Sequence, residues 1–125
     1  MILLTDELRD RLLANGRQRN VDHLPVVKFF NPVGAGTWLI TEMEPDGDTL
    51  FALADLGFGC PELGSCSLSE FTSISLPFGL GIERDILFEG LFPLSAYAEA
   101  ARLAGSIVES ERLLRAAAAS LRNRQ

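Results

Sequence analysis

Five residues, Glu44-Pro45-Asp46-Gly47-Asp48, constrain this chain more than any others. Proline presets the backbone for a turn, aspartate bonds its own backbone, and glycine takes φ values closed to other residues. The runs on either side have strand composition. Thr37 to Met43 alternates, and Thr49 to Leu56 is largely apolar. A strong turn between two such runs folds them into an antiparallel hairpin. A hairpin cannot hide its apolar side alone, so other elements must cover it.

The rest of the chain supplies those elements. Thr5 reads as an N-cap, with Asp6 and Glu7 in the first turn and Leu8, Leu12 and Leu13 at helical spacing. Asn15-Gly16 is the stop signal, so a helix is expected over 6–14. Arg17 to Asn20 make a polar linker. Val26 to Phe30 is rich in β-branched and aromatic residues and predicts a strand, joined to Thr37 through the turn residues Asn31 to Gly36. Gly57 to Gly64 is glycine-rich and irregular, with a short strand at Gly64 to Cys66. Ser67-Leu68-Ser69-Glu70 has capping-box form and predicts a short helix to about Ile74. Glu83 to Glu89 reads as the last strand.

Pro93-Leu94-Ser95 opens an alanine-rich C-terminal helix. Leu103, Ile107, Leu114 and Leu121 step along it as an a/d seam, with Gly105 as a weak point. Unbroken from Leu94 to Arg122, this helix would be about 43 Å long. Such a helix packs on the sheet and frays, bends back, or pairs with a second chain as a homodimer.

These elements predict an α+β fold. An antiparallel sheet of four to five strands carries the N-terminal helix and the long C-terminal helix on one face, leaving the other face open. Residues 1–108 are expected to form the domain and 109–125 a helical extension. The length of 125 residues, with 47% apolar and 22% charged, suits one globular domain. No apolar stretch approaches the roughly 18 residues of a membrane span, and the first residues lack a basic-then-apolar leader. The expectation is a cytoplasmic protein with no membrane partner.

Charge is uneven. The net charge is −6, yet residues 21–96 carry eleven acids against only Lys28 and Arg84. Nucleic-acid affinity comes from Lys and Arg neutralising phosphates, so this balance argues against direct nucleic-acid binding. It suits a basic protein surface or a cation. The residues singled out are Glu42, Asp55, Glu62, Glu70, Glu83, Arg84 and Asp85. Alternation puts Trp38, Ile40 and Glu42 on one face of their strand, and Phe51, Leu53 and Asp55 on one face of theirs. Converging carboxylates would hold Mg²⁺, Mn²⁺ or Ca²⁺, which makes a divalent-metal-dependent hydrolase or nuclease the alternative function. Arg84 points away from Glu83 and Asp85 and would fork onto a carboxylate from another strand, such as Glu62. Trp38, the single tryptophan, is either core filler or a binding hot spot.

Other chemistries find little support. Cys60 and Cys66 have one histidine, His23, to join them, whereas structural zinc takes four such ligands. They read as two buried thiols, and no cofactor is expected. His23 sits in a polar loop, and neither Ser65 nor Ser67 lies in a nucleophile elbow. Gly34-Ala35-Gly36 and Gly79-Leu80-Gly81 lack the third glycine and strand-to-helix context of a nucleotide loop, so they read as turns.

The order of several motifs is similar to a bacterial family. They are the opening Leu3-Leu4-Thr5, Pro25-Val26-Val27-Lys28, Thr37-Trp38-Leu39 to Glu42, and Asp55-Leu56-Gly57 through Pro61-Glu62-Leu63-Gly64. Ser67-Leu68-Ser69-Glu70 and Glu83-Arg84-Asp85 to Phe88 complete the set. Together they resemble the domain of unknown function 2958 over about residues 2–108, with Cys60 and Cys66 outside the pattern. The resemblance implies a short stand-alone protein of plasmids, integrative elements and phages, encoded near anti-restriction and DNA-maintenance genes. It assigns no catalytic residue. The function expected is a small acidic, non-enzymatic accessory protein of a mobile element. It would bind an unidentified protein, with a host defence or DNA-maintenance component as the target.

Overall fold

The computed structural model describes residues 1–124. Thr5 caps the first helix, its hydroxyl accepting the Leu8 N–H at 3.2 Å, and α1 runs Asp6–Gly16. Four strands follow as a meander: β1 Val27–Phe30, β2 Thr37–Met43, β3 Thr49–Asp55 and β4 Glu62–Ser67. The β2–β3 turn closes as its residues demand. Asp46 Oδ1 accepts the N–H groups of Asp48 and Thr49, both at 2.9 Å, and Gly47 takes φ 72°. Ser67 ends β4 and caps α2, Leu68–Ser73, by accepting the Glu70 N–H at 3.4 Å. After β5, Glu83–Arg84, come α3, Leu94–Ala104, and α4, Glu111–Arg122. All strand pairs are antiparallel, in the order β4-β3-β2-β1-β5.

The α+β class and the five-stranded antiparallel sheet are as the sequence predicts; the placement of the helices is not. They cover both faces. α1 and α2 bury Leu12 and Phe71 against Val27, Phe29, Ile40 and Ala52. On the opposite face α3 and α4 bury Tyr97, Ala101, Leu114 and Ala117 against Leu39 and Leu53. The cause lies in β2 and β3, where the neighbours Leu39 and Ile40 point to opposite sides and both are fully buried. Central strands covered on both faces need apolar residues in succession.

β2 contains a bulge. Ile40 pairs with Ala52, but the next pair is Glu42 with Phe51, leaving Thr41 extra. Everything after Thr41 changes face. Glu42 therefore leaves the face of Trp38 and Ile40, where simple alternation put it, and lies beside Phe51. Met43 returns to the α1 side and is buried. α1 docks at this point. Asn15 Nδ2 donates to the Thr41 carbonyl at 2.9 Å. A Cβ on Gly16 would stand 2.1 Å from the Met43 carbonyl oxygen, so only glycine lets the helix end lie on the strand.

The single long C-terminal helix is not formed. Gly105 adopts the left-handed conformation, φ 79°, and its N–H returns to the Ala101 carbonyl at 2.8 Å, ending α3. The chain restarts at Ser110, which caps α4 by accepting the Leu113 N–H at 3.3 Å. Leu103 then lies 69% exposed on α3, Ile107 sits in the connection, and Leu114 and Leu121 belong to α4. The expected dimer seam is broken into three pieces. α4 instead folds back, and Arg124 Nη2 reaches Glu99 Oε1 on α3 at 3.0 Å. β4 is longer than expected and β5 shorter. β5 stops because the Asp85 side chain accepts the Leu87 N–H at 2.9 Å, turning the chain away from β1.

Gly16→Ala should lower unfolding free energy by about 1–3 kcal/mol through overpacking, and Gly90→Ala should do the same, since its Cβ would meet the Pro25 carbonyl oxygen at 2.0 Å. Gly64→Ala, where no atom lies within 4 Å of the added Cβ, is the control and should leave the urea midpoint nearly unchanged.

Candidate functional site

The linker after α1 crosses one end of the sheet and is stitched to α3. Asp22 caps α3 from outside the helix: its carboxylate accepts the Ser95 N–H at 3.2 Å and the Ser95 hydroxyl. The Leu94 N–H donates to the His23 carbonyl at 2.9 Å. His23 is itself buried, and its Nε2 donates to the Gln18 carbonyl at 2.8 Å. Between this linker and the sheet lies a cleft of about 380 Å³. Arg19, Asp22, His23, Leu94 and Ser95 form one wall; Glu42, Glu44, Phe51, Leu63 and Ser65 form the other. Arg19 pairs with Glu44 at 3.0 Å. Among the described residues Glu42 joins no ion pair, so it is the cleft's free carboxylate.

β4 forms the rim of this cleft and the edge of the sheet. Its register with β3 is unbroken from Thr49↔Ser67 to Ala54↔Glu62. Leu63 and Ser65 point to the cleft side, whereas Glu62, Gly64 and Cys66 point to the α2 side. Residues 62–65 are exposed. Glu70, on α2, is exposed as well and close enough to Cys66 to affect its thiol.

The structure disperses the carboxylates that alternation had grouped. Glu62 lies on β4 and Glu83 on β5, at opposite edges of the sheet. Arg84 therefore cannot meet Glu62. Its Nη1 instead clamps the N-terminal segment, donating to the carbonyls of Ile2 at 3.0 Å and Leu3 at 2.6 Å. Asp55 holds two backbone donors, Gly57 N–H and Ile107 N–H, both at 2.9 Å. Asp85 flanks Lys28 at 3.6 Å, and Lys28 also pairs with Glu109 at 2.7 Å. Trp38 is half-buried and meets Phe71 edge to face, ring centroids 4.9 Å apart. Among the described residues no three His, Cys, Asp or Glu side chains gather as an ion site would require.

Sequence reasoning missed Asp22, Lys28 and Asp48. Asp48 accepts hydrogen bonds from the Ser67 hydroxyl at 2.7 Å and the Ser69 N–H at 2.7 Å, joining the β2–β3 turn to the start of α2. The signal for it was Ser67 and Ser69 two residues apart at a helix start, a pair of donors in need of an acceptor. The two cysteines also differ from expectation. Cys66 is partly buried, but Cys60 is exposed, and neither is in a disulfide.

The architecture defines the class: an α+β protein whose helices sandwich an antiparallel sheet edged by β4 and β5. The chain belongs to the family described as protein of unknown function (DUF2958), which it matches over residues 3–108. No curated protein and no solved structure matches it. The match ends before α4, which nonetheless contributes Leu114 and Ala117 to the core.

Two measurements follow from these bonds. Hydrogen bonding from Ser67 first, then from Ser69, holds the Asp48 carboxyl below its ordinary 3.8, and Thr49 does the same for Asp46. A lowered folded-state value means stability that is fully present above about pH 3.8 and lost as pH falls through the lower native values. Urea midpoints should therefore fall as pH drops below about 4, and Asp48→Asn should flatten part of that acid limb. Separately, burial first, then nearby Glu70, pushes the Cys66 thiol up to about 11. At about pH 8 a thiol reagent should label Cys60 quickly and Cys66 only on unfolding, and Cys60→Ser should abolish the fast phase.

Proposed function

We propose that this protein is a non-enzymatic accessory protein that acts by binding another protein through its acidic middle. The observation that supports this reading is a long run of one charge sign. From Phe29 to Glu83 the chain holds eight acids and neither Lys nor Arg. That stretch builds β2, β3, β4 and α2, which are contiguous at one side of the sheet. Asp46, Asp48 and Asp55 are occupied in holding loops, whereas Glu42, Glu62 and Glu70 keep free carboxylates among the described residues. An excess of one sign steers and selects a partner of opposite sign. The partner is accordingly a protein with a basic surface, such as one that otherwise receives nucleic acid. The setting belongs to the same proposal: a cytoplasmic accessory protein of a mobile element, with a host defence or DNA-maintenance component as target. Its support is the family resemblance.

The test is capture from lysate of the cells that carry the protein, with wild type and a Glu42→Gln/Glu62→Gln/Glu70→Gln variant as baits at low and high salt. A discrete partner should be retained by wild type at about 50 mM salt, and weakened both at about 300 mM and by the variant, because exposed charge attraction is screened. Partners indifferent to salt and to the variant would reject the acidic surface as the binding element.

A further inference from the structure

The outer edge of β4 is open. Natural edge strands are blunted by lysine, by proline within the strand, by a bulge, or by a covering element. Over Glu62–Ser67 no Lys or Pro lies within β4, its ladder with β3 has no bulge, and residues 62–65 are exposed; its single charged residue is Glu62, at the end next to Pro61. Alternate residues of such an edge direct unpaired N–H and C=O groups outward, which an extended chain can take up as an added strand. Side chains set the two sides of that edge apart. On the cleft side stands Leu63, half exposed, above the apolar wall of Phe51. On the α2 side stand Glu62 at one end of β4 and, past Cys66 at the other, Glu70 in the first turn of α2, whose N–H donates to the Ser67 hydroxyl at 3.4 Å. Glu62 and Cys66 are four residues apart, about 13 Å along the strand, so Glu62 and Glu70 stand toward opposite ends of this side.

We propose that β4 takes up an extended segment of a partner protein as a sixth strand, one with basic side chains at positions i and i+4 on the side meeting Glu62 and Glu70 and apolar side chains on the side meeting Leu63. This rests on the protein-binding reading and says which element binds and what it recognises. Charge complementarity selects the occupant. A second copy pairing through its own β4 in antiparallel fashion would set Glu62 of one chain against the Glu70 end of the other, acid against acid, which is unfavourable. A basic strand satisfies both ends. Ladder bonds supply affinity without regard to sequence, and the two acids supply choice.

The probe is a synthetic nine-residue peptide, Thr-Val-Lys-Val-Thr-Val-Lys-Val-Thr, whose two lysines share one side of a strand. It is added to the full chain at low salt and followed by amide spectra and amide exchange. Expected are shifts centred on residues 62–67, slower exchange of alternate β4 amides, and at least tenfold weaker binding for the peptide with both lysines changed to glutamate. Glu62→Gln/Glu70→Gln should weaken binding of the parent peptide to a similar degree. A peptide N-methylated at alternate residues keeps its charge but cannot complete the ladder, and it should not protect β4. Equal binding of the N-methylated peptide, shifts centred elsewhere, or no binding would overturn the edge proposal. So would concentration-dependent protection of β4 without peptide, which would assign the edge to a second copy. A partner captured from lysate by wild type but lost with the acid variant would leave the protein-binding reading standing even then.

Discussion

The seat of α1 on the bulge of β2 sets the plan of the molecule. Thr41 is the residue too many in that strand, and its carbonyl is taken by Asn15. Gly16, free of a side chain, brings the helix end against the Met43 carbonyl. The chain leaving α1 is thereby delivered to the end of the sheet and can cross to the other side. There Asp22 and the His23 carbonyl receive the first turn of α3. Without that crossing, α1 and α3 would compete for one face of the sheet. With it, both faces of β2 and β3 are covered, and a small domain gains two apolar layers instead of one. The bulge also moves Glu42 away from the α1 side and into the cleft, so one extra residue determines both the core and the one free carboxylate of the site.

Much of the acidity serves backbone that no ladder satisfies. Asp46 closes the β2–β3 turn, Asp48 receives the start of α2, Asp22 that of α3, and Asp55 fastens the α3–α4 connection through the Ile107 N–H. In each case a carboxylate accepts N–H groups that a helix start or a turn leaves without a partner, and charge makes such bonds stronger than neutral ones. All four are aspartates, whose short side chain reaches adjacent backbone, whereas the acids of this segment whose carboxylates join no bond among the described residues, Glu42, Glu62, Glu70, Glu83 and Glu89, are glutamates, and Glu44 pairs with Arg19. The acidic count of the middle segment therefore overstates the charge available to a partner, and the division between Asp and Glu indicates which part is available.

The legible parts of the fold were those fixed by local chemistry. Pro45-Asp46-Gly47 made the β2–β3 turn readable, Thr5 and Ser67 announced their helices, and the strand bounds of β2 follow directly from its neighbours' turn residues. The unread parts depend on distant partners. Glu-Leu-Gly-Ser-Cys-Ser has no strand propensity to speak of, and β4 exists because β3 offers it a ladder. The bulge obeys Asn15, 26 residues away from Thr41. Gly105 was visible as a weak point, but the Ser110-Glu111 pair after it is an N-cap with an acid in the first turn, and those two signals together spell a break. For the site, alternation grouped residues that share a strand face but could not say which strands would be neighbours. Glu62 and Glu83 end at opposite edges because β1, not β4, receives β5.

An edge strand built from weak strand formers has a consequence for binding. β4 is held by β3 on one side alone, and residues 62–65 are exposed, so their outer groups are hydrated rather than committed to a packed neighbour. An added strand would bury the cleft rim around Leu63 and complete the pairing of β4 on its second side. Binding and local ordering would then be linked: the segment proposed to recognise the partner is also the one with most to gain from it. α2 extends this coupling, because Ser67 ends the strand, caps the helix and bonds to Asp48. A partner that fixes β4 also fixes the cap that positions Glu70, one of its two proposed anchors. The two acids are thus presented by a single unit, strand and helix joined at Ser67, and recognition of both charges at once requires that joint to be intact.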